Sequence, residues 1–210
     1  MRNGLEVYRR NEVVKTAGAE LPEFVTEEEV KRMIYEAGKE NSERDKLLLE
    51  TMWATGMRVS EITTIRPIDV QEVGISVFGK RMPRTENEMK EGAIPHEKRM
   101  RIIPIPAPLR QKLISYIFRQ RIGDEKKIFP ITTTRVYQLV ALYANKANIQ
   151  RKIHPHMFRH GFAVYFLRRT HSINALQQIL GHTNLQSTTV YTKLDPIELQ
   201  QYVDMAFGDR

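Results

Sequence analysis

Only one stretch of this 210-residue chain has the two-residue rhythm of a strand, and it limits the fold to a helical domain with a small sheet. Gly74-Ile75-Ser76-Val77-Phe78-Gly79 alternates and is β-branched, and Arg101-Ile102-Ile103-Pro104-Ile105 reads as its antiparallel partner. Elsewhere apolar residues return at helical spacing between recognisable starts and stops. Thr26-Glu27-Glu28-Glu29 is a capping box: an N-cap hydroxyl is followed three residues on by a glutamate, which opens a helix to about Gly38. Ser42 caps a second helix, with Leu47, Leu48, Met52 and Trp53 on its apolar positions, until Gly56 ends it. Val59-Ser60-Glu61-Ile62 begins a short helix that stops before Pro67, and further helices are expected at 107–121, 133–147, 156–170, 172–180 and 195–206. The expected fold is therefore α+β, mostly helical, with a small antiparallel sheet near the middle of the chain.

A hydrophobic content of 41% over this length is enough for one substantial core, so residues 1–20 are read as a lead-in and 21–210 as one domain. The absence of cysteine excludes disulfides and thiolate metal sites, and the six histidines show no paired metal-binding spacing. No apolar run approaches a membrane span and the N-terminus lacks a signal-peptide core, so no membrane association and a cytoplasmic location are expected. The net charge of +8 is uneven: basic residues trail acidic ones 11 to 15 over residues 1–79, then lead 13 to 6 over 80–127 and 9 to 4 over 128–210. A basic second half favours a polyanion, with nucleic acid the first candidate.

Three separated islands carry chemistry. In Ala54-Thr55-Gly56-Met57-Arg58-Val59-Ser60-Glu61-Ile62 a helix ends at glycine and an arginine follows at the mouth of the next turn; Glu61, three residues on, is a natural ion-pair partner for it. In His154-Pro155-His156-Met157-Phe158-Arg159-His160-Gly161-Phe162, Pro155 favours a helix start, which makes His156 and Arg159 neighbours near an N-terminus. That end carries unpaired N–H groups and partial positive charge, a poor place for cations and a good one for receiving an anion, and His160 shares the same face. The third island, Leu180-Gly181-His182-Thr183-Asn184-Leu185-Gln186-Ser187-Thr188-Thr189-Val190-Tyr191-Thr192-Lys193-Leu194, ends a helix and then places a tyrosine among hydroxyls.

In this order, ATGMRVSEI, VFGK, HPHMFRHGFA and LGHTNLQSTTVYTKL resemble the catalytic domain of the tyrosine recombinases, the phage integrase and Xer family. The likeness covers roughly residues 21–205 and includes the family's nine-residue step from His182 to Tyr191. The resemblance implies a site-specific recombinase that cleaves and rejoins double-stranded DNA through a 3′-phosphotyrosyl link, without metal or ATP, and that works as a tetramer on DNA. By the same resemblance Arg58 and Arg159 are its catalytic arginines, His156 its base and later acid, His182 a donor to a non-bridging oxygen, and Tyr191 its nucleophile. These types suit the chemistry: guanidinium clasps two phosphate oxygens, and a phenol with a reference pKa of about 10 needs a base near neutrality.

Lys80 matches the family's strand-turn lysine, the general acid for the leaving 5′ oxygen. The connection it opens, to Met100, is longer than is usual in the family, and Lys90 and Lys98 are rivals for the role. Arg81, Arg84, Lys90, Lys98 and Arg99 give that connection the character of a DNA-backbone contact. About twenty residues precede the first expected helix, so no counterpart of the family's separate N-terminal helical domain is expected in this sequence, with a fragment and a minimal enzyme as the alternatives. Two other functions compete: a non-catalytic regulator that uses residues 172–191 as helix-turn-helix, and a type IB topoisomerase with the same chemistry.

Overall fold

The computed structural model describes residues 22–40, 42–78 and 100–181. Within them lie α1 (Glu27–Lys39), α2 (Glu43–Thr55), α3 (Val59–Ile62), a 3-10 turn (Pro67–Asp69), β1 (Ile75–Phe78), β2 (Met100–Ile103), α4 (Ala107–Arg119), α5 (Thr133–Lys146), α6 (Pro155–Thr170) and α7 (Ile173–Leu180). The helical domain with one small antiparallel sheet is the architecture expected. The helix proposed at 195–206 lies outside the described residues.

Local chemistry explains where the helices begin. The Thr26 side chain accepts the Glu29 N–H at 3.2 Å while the Glu29 carboxylate accepts the Thr26 N–H at 2.8 Å, so two orphan donors at the start of α1 are satisfied reciprocally. Ser42 caps α2 through the Asp45 N–H, and Pro155 occupies the first turn of α6, where its missing N–H costs nothing. Strand β2 corrects the expected 101–105: it runs Met100–Ile103 and pairs Ile103 with Ile75 and Arg101 with Val77. Pro104 has no N–H to give to a ladder, so pairing stops in front of it.

Helix α2 lies at the centre, packed by α1, α4 and α6. It is therefore buried on most of its circumference, through Leu47, Leu48, Leu49, Thr51, Met52 and Thr55. The two threonines avoid a desolvation cost by bonding back to carbonyls four residues earlier, at 2.7 and 2.6 Å. Asp45, also buried, accepts the Tyr143 hydroxyl at 2.9 Å, which ties α2 to α5. That bond and, first of all, burial push the Tyr143 phenol up to about 12. Helix α6 comes so close to the segment before α1 that a Cβ on Gly161 would meet the Val25 carbonyl oxygen at 2.4 Å. A smaller apolar cluster of Phe162, Ala163, Leu167, Leu176 and Leu180 holds α7 against the far half of α6. Among the described residues no helix is long and apolar enough to cross a membrane.

Candidate active site

The first island folds as two helix ends facing each other. Gly56 closes α2 in the left-handed conformation, with φ of 59°, and a Cβ there would lie 2.5 Å from the Phe162 ring. Glycine is required on both counts. Two residues later Arg58 is the N-cap of α3, and the carboxylate of Glu61 turns back to it. Its Oε2 accepts the Arg58 backbone N–H at 2.8 Å and its Oε1 accepts Arg58 Nη1 at 3.0 Å. The expected Arg58–Glu61 pair is present, and Glu61 is a buried group, 6% exposed, instead of a surface cap.

One arginine balances the charge of a buried carboxylate, but Arg58 fills only part of its acceptor capacity. The second cation is Arg101 of β2, whose Nη1 and Nη2 donate to the two Glu61 oxygens at 2.9 Å each, in the bidentate fork that matches guanidinium to carboxylate. Burial by itself pushes the Glu61 carboxyl up. The hydrogen bonds and charges of Arg101 and Arg58 outweigh it, and the net direction is down, so Glu61 is ionised at neutral pH.

Arg159, on the second turn of α6, is itself buried. Its Nη1 donates to the Gly56 carbonyl at 2.8 Å and its Nη2 to the Leu180 carbonyl at 2.7 Å. Those oxygens belong to the C-terminal ends of α2 and α7, where carbonyls lack helical partners and carry partial negative charge. The structure thus answers the difficulty raised by the sequence, a cation near a helix N-terminus: two other helices offer their negative ends to it. Arg101 repeats the arrangement, donating from Nε to the Ile179 carbonyl at 2.9 Å.

The contacts form a closed circuit. Gly56 leads by chain to Arg58, Arg58 to Glu61, Glu61 to Arg101, Arg101 to the last turn of α7, that turn to Arg159, and Arg159 back to Gly56. The first two islands meet there with β2 and with Leu180, the first residue of the third. His156 is exposed on the first turn of α6, with its ring 6.4 Å from that of His154. His160 is half-buried, and its imidazole is pushed below its ordinary value by burial first and then by the charges of His156, Arg159 and His154. Lys80, Arg81, Arg84, Lys90, Lys98, Arg99, His182 and Tyr191 all lie outside the described residues.

Arg101 was not among the candidates from the sequence, yet a signal for it exists. Residues two apart on a strand share a face, and Arg101 shares one with the fully buried Ile103, while Met100 and Ile102 are 46% and 40% exposed. An arginine on the inward face with apolar residues facing out is an inversion that calls for a buried acidic partner.

These features define a class: a helical domain that gathers arginines around one buried carboxylate at the junction of three helix ends. Residues 23–198 match the phage integrase family, and the chain belongs to it. It is 32% identical over 197 residues to the tyrosine recombinase XerA of Pyrococcus furiosus, a match covering 89% of this chain and 62% of that protein. Among solved structures, it is similar to a XerH site-specific recombinase bound to its difH substrate, with TM-score 0.67 and 20% identity over 91% of this chain and 56% of that one. It is also similar to the catalytic domain of bacteriophage HP1 integrase, with TM-score 0.59 and 19% identity, covering 90% of this chain and 99% of that one. The fold is that of tyrosine recombinase catalytic domains, and the chain spans about three fifths of the length of the curated relatives it matches.

Proposed function

We propose that this chain is the catalytic domain of a site-specific DNA recombinase, which breaks and rejoins strands through a 3′-phosphotyrosyl link. The observation that carries the proposal is the closed circuit of Arg58, Glu61, Arg101 and Arg159, because it brings cations from separate parts of the chain to one place. A phosphodiester is already an anion, and attack on it concentrates further charge on its non-bridging oxygens; fixed guanidinium groups stabilise that charge without reorganising. Arg58 suits this role: Glu61 holds its Nη1, and among the described residues its Nε and Nη2 make no hydrogen bond.

In the proposed reaction the Tyr191 phenol attacks phosphorus and its proton passes to His156. The P–O bond to the 5′ oxygen breaks, and that oxygen takes a proton from Lys80, with Lys90 and Lys98 as the other candidates. His182 donates to a non-bridging oxygen. Reversal with a different 5′ hydroxyl rejoins the strands, and because the tyrosyl ester keeps the bond energy no ATP is consumed. The arginines take the place of a two-metal site, so no metal is required in this scheme. The partner is double-stranded DNA, gripped through the basic residues Arg81, Arg84, Lys90, Lys98 and Arg99, and the working assembly is a tetramer on two duplexes.

The test is a nicked duplex that loses its 5′ fragment after cleavage, so that any covalent intermediate is trapped. The expected product is a protein–DNA adduct that withstands denaturant and forms in EDTA. Binding without an adduct on every duplex tried points to the regulator, and relaxation of supercoiled DNA without a specific site points to the topoisomerase. The same duplex identifies the acid. Lys80→Ala is expected to slow cleavage about 100-fold or more on the oxygen substrate and to recover on one whose leaving atom is sulfur, which needs no proton. Failure of sulfur to rescue assigns the proton to Lys90 or Lys98.

A further inference from the structure

We propose that Arg101 is a positioning residue for strand cleavage: it takes both oxygens of Glu61 and so leaves Arg58 tethered at one nitrogen, with the rest of its guanidinium available to a phosphate. The inference rests on the recombinase reading above. It starts from how the four acceptor directions of one carboxylate are shared. Glu61 Oε1 accepts from Arg58 Nη1 and Arg101 Nη1, and Oε2 accepts from the Arg58 backbone N–H and Arg101 Nη2, all at 2.8 to 3.0 Å. Without Arg101 the buried carboxylate has one cation left within reach. It would then be drawn into the same bidentate fork with Arg58, which would occupy the guanidinium edge that an incoming phosphate needs.

Arg101 is itself fixed from three sides. Its Nε donates to the Ile179 carbonyl, β2 holds its backbone in register with Val77, and its side chain runs against Gly181. A Cβ at Gly181 would lie 3.0 Å from both Cδ and Nε of Arg101, and Gly181 has φ of +64°, so a side chain there would strain the backbone and press on the arginine. The guanidinium that orients Glu61 is therefore keyed to the end of α7. All three of its nitrogens serve geometry: Nη1 and Nη2 go to the carboxylate and Nε to a helix end, which distinguishes it from Arg58.

The experiment compares wild-type protein with Arg101→Lys, Arg101→Met and the double variant Arg101→Met/Glu61→Gln, on the trapped-cleavage duplex at saturating DNA. Folded fraction, thermal midpoint and DNA affinity are measured on the same samples. Lysine keeps a charge beside Glu61 but cannot span both oxygens and the Ile179 carbonyl. Arg101→Lys is expected to fold, to bind DNA within about threefold of wild type, and to cleave about 100-fold more slowly, the scale set by misplacing a catalytic group by about an ångström. The double variant removes a buried charge that has lost one of its two cations, so its thermal midpoint should recover relative to Arg101→Met; it also removes the carboxylate that tethers Arg58, so its cleavage stays slow.

Wild-type cleavage by Arg101→Lys, or recovery of rate together with stability in the double variant, overturns the inference and reduces Arg101 to a neutralising charge. If the wild-type protein forms no adduct, the recombinase reading falls and takes this inference with it. An adduct from wild type and an equal one from Arg101→Lys sinks the inference alone.

Discussion

Tyr191→Phe is expected to abolish the covalent adduct on the trapped-cleavage duplex, a fall of at least about 10,000-fold, while leaving DNA binding within about twofold of wild type. The change deletes one oxygen and keeps the ring, so whatever the ring packs against is preserved. The binding prediction follows because affinity for DNA rests mainly on phosphate contacts from arginines and lysines, which one phenol hydroxyl does not supply. The measurement is a denaturing gel for the adduct beside a binding titration at fixed salt. An undiminished adduct in the phenylalanine variant would move the nucleophile to another residue; loss of binding together with the adduct would make Tyr191 a contact instead of a reactant.

Substitution of Arg159 should have the second largest effect, and the two natural replacements separate its functions. Arg159→Met leaves the Gly56 and Leu180 carbonyls without the donors they now have at 2.8 and 2.7 Å. Removing hydrogen bonds from a buried charged donor costs about 1.5–3 kcal/mol each, so a loss of roughly 3 kcal/mol or more in stability is expected, read as a lower denaturation midpoint. Arg159→Lys retains the charge and can satisfy one carbonyl well. It should fold close to normally, yet lose about 100- to 1,000-fold in cleavage rate, the usual cost of removing one preorganised donor from a developing oxyanion. A lysine variant that folds and cleaves like wild type would leave Arg159 as a purely architectural clamp.

What the sequence disclosed, and what it withheld, follows from the range of the interactions. Helix starts were legible because their causes are local: Thr26 and Glu29 satisfy each other across three residues, and Pro155 needs nothing beyond its own ring. The end of β2 is equally local: it falls at Ile103, short of the expected 105, because Pro104 has no N–H for the ladder. Arg58 and Glu61 are legible as a pair because they lie three apart, but the burial of Glu61 depends on Arg101, 40 residues away from it. The partners of Arg159 were likewise invisible. Carbonyl acceptors look alike in a sequence, and these two are 103 and 21 residues from the arginine that uses them. Family resemblance supplied roles for Lys80, His182 and Tyr191 that spacing alone could not assign, and those residues lie outside the described structure.

The long reach of these contacts has a consequence for how the protein comes to life on the ribosome. Arg101 joins residues 40 and 78 positions away, and Arg159 reaches back 103, so no short segment of the chain contains the arginine circuit by itself. Contacts of such separation form late, after the loops between them have been closed at an entropic cost. A nascent or half-folded chain therefore displays scattered arginines but no assembled cradle for a phosphate. On the proposed function, competence to cut DNA would appear only when the last turn of α7 docks, so that completion of the fold itself acts as a safeguard against premature cleavage.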